Sequence, residues 1–237
     1  MGIHVPVLAL LLKLKGRPLG STVMLGRQGW HISDDPAAED YQGALKLVHK
    51  YDPNISLSDL HSGGYSEKLF EWLGSSSVQS LDASGYEGAE IIHDLTIPIG
   101  GELRLRFDCV FDGGTLEHVY DIPLAIRNIR AMLRPGGLLV SCNGANNFLG
   151  HGLYQFSPEL MWRALSVENG FQVEFMMLVD ESNEPQPMYV QDPEILGRRD
   201  EPRSTKGCTL LQVVARKIRE DVNDSVYQSD YSRAWKG

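Results

Sequence analysis

Short apolar runs alternate with amphipathic stretches along most of the chain, and the two patterns predict strands and helices in turn. The runs, whose length is typical of buried strands, lie at 22–25, 78–82, 91–95, 107–112, 138–141, 171–179 and 209–215. The amphipathic stretches, which place apolar residues three and four positions apart, lie at 41–50, 66–73, 121–133 and 157–167. This order predicts an α/β fold: a Rossmann-like, doubly wound, mostly parallel seven-stranded sheet with helices on both faces.

The pattern also divides the chain into one large domain and two flanking segments. We predict an N-terminal segment over 1–20, the sheet domain over 21–215 and a polar tail over 216–237. Residues 30–65 are polar and acidic and are broken by proline, so they predict a lid insertion or an oligomer contact. Residues 181–207 are rich in Pro, Glu, Arg and Ser and predict a loop.

The apolar run at 5–12 is the one candidate for a targeting or membrane segment. It is far shorter than the roughly 20 residues that cross a bilayer. A signal peptide places its positive charges before the apolar run, whereas Lys13 and Lys15 follow it. The run therefore predicts a buried helix or strand, with no membrane partner.

Composition and charge narrow the class of protein. The chain has 237 residues, 42% of them hydrophobic, which is typical of a packed globular protein and argues against disorder. Its net charge of −9 argues against nonspecific nucleic-acid binding, which needs a basic face. The 3 cysteines have no metal-binding or disulfide spacing, so we expect a reducing, cytoplasmic location.

Polar and glycine residues follow the predicted strands, at the sheet edge where ligands bind in folds of this kind. Asp82 closes one strand and is followed by Ala83. A carboxylate at this position can accept hydrogen bonds from both vicinal hydroxyls of a ribose. The alternative is that Asp82 only caps a turn.

The stretch from Phe107 to Val140 is FDCVFDGGTLEHVYDIPLAIRNIRAMLRPGGLLV. It resembles the class I S-adenosylmethionine-dependent methyltransferases, in which a strand beginning Phe-Asp is followed by Glu-His-Val, a helix and Lys/Arg-Pro-Gly-Gly. The resemblance implies S-adenosylmethionine as the cofactor. It places Asp82 at the ribose, Asp94 at the adenine amino group, and Asp112 and Gly113 beside the cofactor.

A narrower resemblance is carried by SLDASGYEGAEIIHDL, FDGGTLEHV and NNFLGHGLYQFSPEL. Together these segments are similar to a subgroup of methyltransferase-like proteins, several of which are associated with bacterial glycan or secondary-metabolite pathways.

The first strand departs from the family pattern. Class I methyltransferases normally end this strand in a turn of the form Asp/Glu-x-Gly-x-Gly-x-Gly, where missing side chains let the backbone approach the methionine portion of the cofactor. Here the turn is Gly26-Arg27-Gln28-Gly29, without the preceding acid. Two hypotheses follow: Arg27 and Gln28 hold the cofactor carboxylate in another way, or the cofactor site is degraded.

The resemblance also places an acceptor site near Glu117 and His118. Either His118 or His151 could serve as the general base for methyl transfer to a hydroxyl, since an imidazole pKa lies near neutrality. The alternative for both is a structural hydrogen bond. We predict that the acceptor, a small molecule such as a sugar, is contacted by Glu117, Asn146, Asn147, Tyr154 and Gln155. No metal is predicted, because three ligands cannot be assembled around Asp112-Gly113-Gly114.

Three functions remain open at this point. The first is an O-methyltransferase that acts on a small acceptor. The sequence is compatible with a homo-oligomer of such an enzyme. The second is a noncatalytic binding or scaffold protein that retains the fold, favoured by the poor glycine turn. The third is a nicotinamide-dependent reductase or epimerase, which would need a fuller phosphate-binding loop than Gly26-Arg27-Gln28-Gly29.

Overall fold

The structure is a computed structural model that describes residues 2–182, 184–200, 207–220, 222 and 224–236. The strands are β1 (Gly2–Ile3), β2 (Gly20–Leu25), β3 (Gly29–Trp30), β4 (Ser75–Asp82), β5 (Ile91–Ile92), β6 (Phe107–Asp112), β7 (Leu133–Asn146), β8 (Phe171–Asp180), β9 (Met188–Tyr189) and β10 (Thr209–Lys217). The α-helices are α1 (Val5–Leu12), α2 (Glu39–Val48), α3 (Glu67–Leu73), α4 (Ile122–Met132), α5 (Pro158–Ala164), α6 (Pro193–Leu196) and α7 (Ser229–Lys236).

The large sheet confirms the predicted Rossmann-like α/β class. Within the described residues it has 8 strands in the order β5-β4-β2-β6-β7-β10-β8-β9. The strands from β5 to β7 are parallel, whereas β10 runs antiparallel to both β7 and β8. Because β2 is followed first by β4 on one side and later by β6 on the other, the strand order reverses beside β2.

Helix α4 shows how local sequence produces the predicted elements. Asp121 caps its N-terminus, with the carboxylate accepting from the Leu124 amide at 3.0 Å. Pro123 lies in the first turn, where its missing N–H costs nothing. The apolar positions Ile122, Ala125, Ile126 and Ile129 are buried on one face. This face packs on the sheet in a core cluster that also contains Val110 of β6.

The opposite face of the sheet is covered by a second core cluster. The apolar run at 5–12 forms the buried helix α1, as its pattern predicts. Residues 30–65, predicted as a lid insertion, supply Trp30, Ile32, Leu57 and Leu60 to this same cluster. The division of the chain at residues 20 and 215, and the movement implied by a lid, stay predictions.

Several elements differ from the sequence prediction. The large sheet has one strand more than predicted, because the two-residue β9 forms inside the predicted loop over 181–207 and pairs with β8. Part of that loop lies outside the described residues. Strand β7 extends well beyond the predicted 138–141 because antiparallel pairing with β10 continues to Asn146. The predicted polar tail contains helix α7.

Candidate functional site

A cavity of about 380 Å³ opens at the carboxyl edge of the sheet, beside the point where the strand order reverses. Its walls include Asp82 and Ala83 from the end of β4, Asp94 after β5, and Thr115 and His118 after β6. In open α/β sheets this crevice is the usual ligand site. The structure therefore brings together four residues predicted from sequence and adds Thr115.

Asp82 presents its carboxylate to this cavity. One oxygen accepts from the Ser84 amide at 2.9 Å, which fixes the turn after β4. Asp94 also lines the cavity and is exposed, and its Oδ1 accepts from the amide and the hydroxyl of Thr96, each at 2.8 Å. These hydrogen bonds lower the pKa of Asp94. Both carboxylates thus line the cavity as hydrogen-bond acceptors for a polar ligand.

The turn after β2 is closed by the Gln28 side chain. Its Nε2 donates to the Leu25 carbonyl at 2.6 Å, and the Thr115 hydroxyl donates to the same carbonyl at 2.5 Å. A Cβ added to Gly113 would lie 2.5 Å from Gln28 Oε1, so the amide also fills the space beside that glycine. Gly26 takes a positive φ of 69°, which its lack of a Cβ permits.

Arg27 points away from this turn. Its Nε donates to the Glu67 carboxylate at 2.7 Å, and its Nη1 donates to the Glu87 carbonyl at 3.0 Å. The guanidinium also lies 3.9 Å from the centre of the Tyr65 ring. The pair with Glu67 raises the pKa of Arg27. Arg27 therefore has structural partners, and its predicted contact with a cofactor carboxylate stays a prediction.

Asp112 lies at the end of β6 but faces the protein interior, with none of its surface exposed. One carboxylate oxygen accepts from the amides of Thr115 and Leu116. The other accepts from the Ser141 hydroxyl at 2.7 Å and the Asn143 amide at 2.6 Å. The position of Asp112 beside the cofactor was predicted by resemblance, whereas its contacts here join β6 to β7.

Glu117, His118 and His151 form a compact cluster at the end of β6, which we call the Glu–His–His cluster. The Glu117 side chain is 1% exposed, and its Oε1 lies 2.9 Å from His151 Nε2 and 3.7 Å from His118 Nε2. Burial raises the pKa of Glu117. Burial also lowers the pKa of His118, and the neighbouring His151 adds to the effect.

The loop after β7 delivers His151 to this cluster. The Glu117 carbonyl accepts from the amides of Leu153 and Tyr154 at 2.7 and 3.2 Å, which holds the loop against the short turn that follows β6. A Cβ on Gly152 would lie 2.9 Å from that carbonyl, and Gly152 has a φ of 72°, so only glycine suits the position. Sequence reasoning proposed both histidines separately, and the fold places them together.

The remaining predicted acceptor residues have partners within the protein. The Asn147 amide donates to the Gly207 carbonyl, and the Tyr154 hydroxyl donates to the Tyr120 carbonyl. Gln155 accepts from the Phe148 amide. Tyr154 and Gln155 also line a second, mainly apolar cavity of about 550 Å³ beside α4. Asn146 ends β7. Contact of these four side chains with an acceptor stays a prediction.

The residues that sequence reasoning missed are those whose importance depends on pairing across the sheet. Thr115 lies within the recognised motif, yet only the fold shows that its hydroxyl meets Leu25. Ser141 and Asn143 alternate along β7 with apolar neighbours, and that interruption of the apolar pattern was a usable signal.

The described residues fit the nucleoside portion of S-adenosylmethionine. The carboxylates of Asp82 and Asp94 line the cavity, and the family resemblance assigns these positions to ribose and adenine. At the methionine portion the fit is different, because the Gln28 amide takes up space that a glycine would leave open. Gln28 Oε1 is itself buried without a hydrogen-bond partner.

A comparison with known protein families supports the methyltransferase resemblance of the chain. Residues 97–141 match the family model described as a methyltransferase domain, a stretch that contains β6, α4 and most of β7. The resemblance to class I S-adenosylmethionine-dependent methyltransferases is thereby confirmed over the motif that carries it. No curated protein matches the chain.

Two solved structures illustrate the similarity in fold. The Burkholderia thailandensis 1,6-didemethyltoxoflavin-N1-methyltransferase, with bound 1,6-didemethyltoxoflavin and S-adenosylhomocysteine, is 16% identical, with 90% of this chain and 77% of that chain covered and a TM-score of 0.45. An S-adenosylmethionine-dependent methyltransferase from Mesorhizobium loti is 16% identical, with 90% and 96% covered and a TM-score of 0.44. Among the described residues, no helix has the length and apolar character needed to cross a bilayer.

Proposed function

We propose that this protein transfers a methyl group from S-adenosylmethionine to a hydroxyl of a small acceptor, such as a sugar or a secondary metabolite. One observation carries the proposal. Asp82 and His118 line the same cavity, so a nucleoside held at Asp82 would lie next to the Glu–His–His cluster. A methyl donor and a group that can accept a proton would thus lie side by side.

The cofactor supplies an activated methyl group when bound, so the chain mainly has to position the reactants. Asp82 would accept hydrogen bonds from the ribose hydroxyls, and Asp94 from the adenine amino group. Ala83 adds only a small side chain to the cavity wall, while Gly26 would let the backbone come close.

The acceptor hydroxyl must lose a proton as the new bond forms. The Glu–His–His cluster, whose His118 lines the cavity, can take up this proton, since it combines two imidazoles with a buried carboxylate. His118 is about half exposed, which leaves it within reach of an acceptor. We assign orientation of the acceptor to residues at the end of β7 and in the loop after it, namely Asn146, Asn147, Tyr154 and Gln155.

The direct test uses S-adenosylmethionine with an isotopically labelled methyl group and a panel of sugars and hydroxylated metabolites. We expect S-adenosylhomocysteine to form only when a suitable acceptor is present, and the label to appear as an O-methyl group in the NMR spectrum of the product. A label found on nitrogen or carbon would overturn the hydroxyl assignment while leaving methyl transfer intact.

Gln28 favours a second candidate, a noncatalytic protein that retains the fold. Its amide is hydrogen-bonded to Leu25 and fills the turn that normally approaches the methionine portion. If this amide cannot move, S-adenosylhomocysteine would fail to bind even though adenosine could. Turnover of S-adenosylmethionine with any acceptor would exclude this candidate.

We expect Gln28→Ala to tighten binding of S-adenosylhomocysteine and to leave adenosine binding unchanged. The wild-type protein must break the hydrogen bond from Nε2 to Leu25 to admit the methionine portion. A hydrogen bond of this kind is worth about 1 kcal/mol net, so removing that cost should improve the affinity roughly fivefold. Calorimetric titration of the two ligands measures the difference.

The matched control is Gln42→Ala, since the Gln42 amide also donates to a main-chain carbonyl, that of Pro36, but lies on the exposed surface of α2. A weaker affinity in Gln28→Ala would instead support Gln28 as a direct cofactor ligand, and unchanged affinity would show that the amide moves freely.

A further inference from the structure

The Glu–His–His cluster has the composition of a metal site. Glu117, His118 and His151 each offer one ligand atom, and these atoms all lie within 4.8 Å of one another. Two imidazoles and one carboxylate are a ligand set for first-row transition metals, whereas Mg²⁺ and Ca²⁺ prefer oxygen alone. The sequence did not predict this, because two of the residues are adjacent and the third comes from the loop after β7.

The distances within the cluster are close to those between neighbouring ligands of one ion. Ligand bonds of about 2.0–2.2 Å around Zn²⁺ put neighbouring tetrahedral ligand atoms roughly 3.3 Å apart. The observed separations from Glu117 Oε1 are 2.9 Å to His151 Nε2 and 3.7 Å to His118 Nε2. Small side-chain rotations would bring all three atoms to that spacing.

The orientation of the buried atoms points the same way. Glu117 Oε1 and His151 Nε2 are both buried and neither has a hydrogen-bond partner, although they are only 2.9 Å apart. The imidazole N–H therefore does not aim at the carboxylate oxygen. Burying polar atoms without hydrogen-bond partners destabilises a fold. A third group bound between these two atoms would remove that cost.

Neighbouring groups fix the orientation of the three side chains in the cluster. The second carboxylate oxygen of Glu117 accepts from the Gly144 amide at 2.7 Å, which fixes the direction of the first. The His118 and His151 rings lie edge to face, with centres 5.2 Å apart. His118 is about half exposed and lines the cavity, so a coordination position beside its imidazole would face solvent and the cavity.

We propose that Glu117, His118 and His151 bind a divalent transition-metal ion of the Zn²⁺ type, with an open position that faces the acceptor. Three protein ligands and one open position are typical of catalytic zinc sites. With an ion bound, the imidazole nitrogens are ligands, so the proton uptake described above for the metal-free cluster is replaced by another step. The ion would lower the pKa of an acceptor hydroxyl lying against it, and the proton would leave to solvent water. This last step rests on the proposed methyl transfer, whereas metal binding does not.

The test is titration of the full chain, freed of metal with a chelator, with Co²⁺ and then with Zn²⁺. We expect one Co²⁺ per chain, detected by its visible d–d absorption, and its displacement by Zn²⁺. His118→Ala and His151→Ala should each weaken binding at least about tenfold, since even outer-shell changes cost 10–100-fold. Glu117→Gln should do the same while preserving side-chain shape.

His49→Ala is the control, because His49 is exposed at the end of α2 and lies outside the cluster. Circular dichroism checks that each variant folds. His118→Ala is the variant expected to perturb the fold least, because the His118 ring is exposed. Metal binding that is absent in the wild type, or equal in His118→Ala and His49→Ala, would overturn the proposal. Titration of the metal-free protein with S-adenosylhomocysteine separates this result from the fate of the proposed function.

Discussion

Asp82→Ala should weaken binding of both S-adenosylhomocysteine and adenosine by roughly 100-fold, or about 3 kcal/mol, because two hydrogen bonds to a charged acceptor are lost. The carboxylate faces the cavity at the end of β4 and keeps one oxygen free of the Ser84 turn. Since ribose is common to both ligands, the two losses should be equal. Calorimetric titration of each ligand gives the comparison.

Asp52→Ala is the matched control. Asp52 accepts from the amide two residues ahead, that of Asn54 at 3.0 Å, in the same kind of turn as Asp82 with Ser84, but it lies outside the cavity. This variant should bind both ligands normally. Normal affinity in Asp82→Ala would disprove the ribose assignment, and an equal loss in Asp52→Ala would show that the effect comes from turn stability.

Asp112→Ala should lower the free energy of unfolding by about 3–5 kcal/mol, because it leaves buried donors without an acceptor. The carboxylate accepts from the two amides of Thr115 and Leu116, the Ser141 hydroxyl and the Asn143 amide. Unfolding in urea, followed by circular dichroism, measures the loss. Asp112→Asn keeps the shape and one acceptor oxygen, so its loss should be smaller.

Asp108→Ala on the same strand serves as the comparison. Asp108 pairs with Arg134 at 2.8 Å and accepts from the Ser21 amide, but its side chain is 38% exposed. Exposed pairs of this kind contribute about 1 kcal/mol or less. If Asp112→Ala and Asp108→Ala lose similar stability, the four hydrogen bonds of Asp112 are not a structural link. A large loss of ligand affinity without loss of stability would instead favour the predicted contact with the cofactor.

The elements that the sequence predicts well are those whose signals are local. Helix α4 has its cap, its proline and its apolar spacing within one stretch, and β6 was predicted with its exact bounds. Strand β9 has two residues and depends on pairing with β8, so no local pattern indicates it. The far end of β7 depends in the same way on β10.

The residues of the candidate site also differ in how far local sequence predicts them. Asp82 and Asp94 follow strands directly, and the general rule for ligand position in such sheets was enough to find them. Asp112 also follows a strand, but alternation along β6 places it on the same side as the buried Val110. The closeness of Glu117 and His151 depends on the loop after β7, which the sequence alone does not position.

Gln28 could be predicted from the sequence only in part. The sequence shows that a glycine is replaced in the turn after β2, and it raises the question of cofactor binding. It does not show where the side chain goes. The structure directs the amide back to Leu25, because that carbonyl ends the strand and needs a donor.

Calorimetric titration of the wild-type chain with S-adenosylhomocysteine, beside adenosine, is the most direct measurement. Binding of both, with an affinity for S-adenosylhomocysteine near micromolar, about −8 kcal/mol, is the result that we predict for a methyltransferase whose unusual turn still admits the cofactor. Binding of adenosine alone, or of neither ligand at millimolar concentration, would contradict methyl transfer and favour the noncatalytic protein.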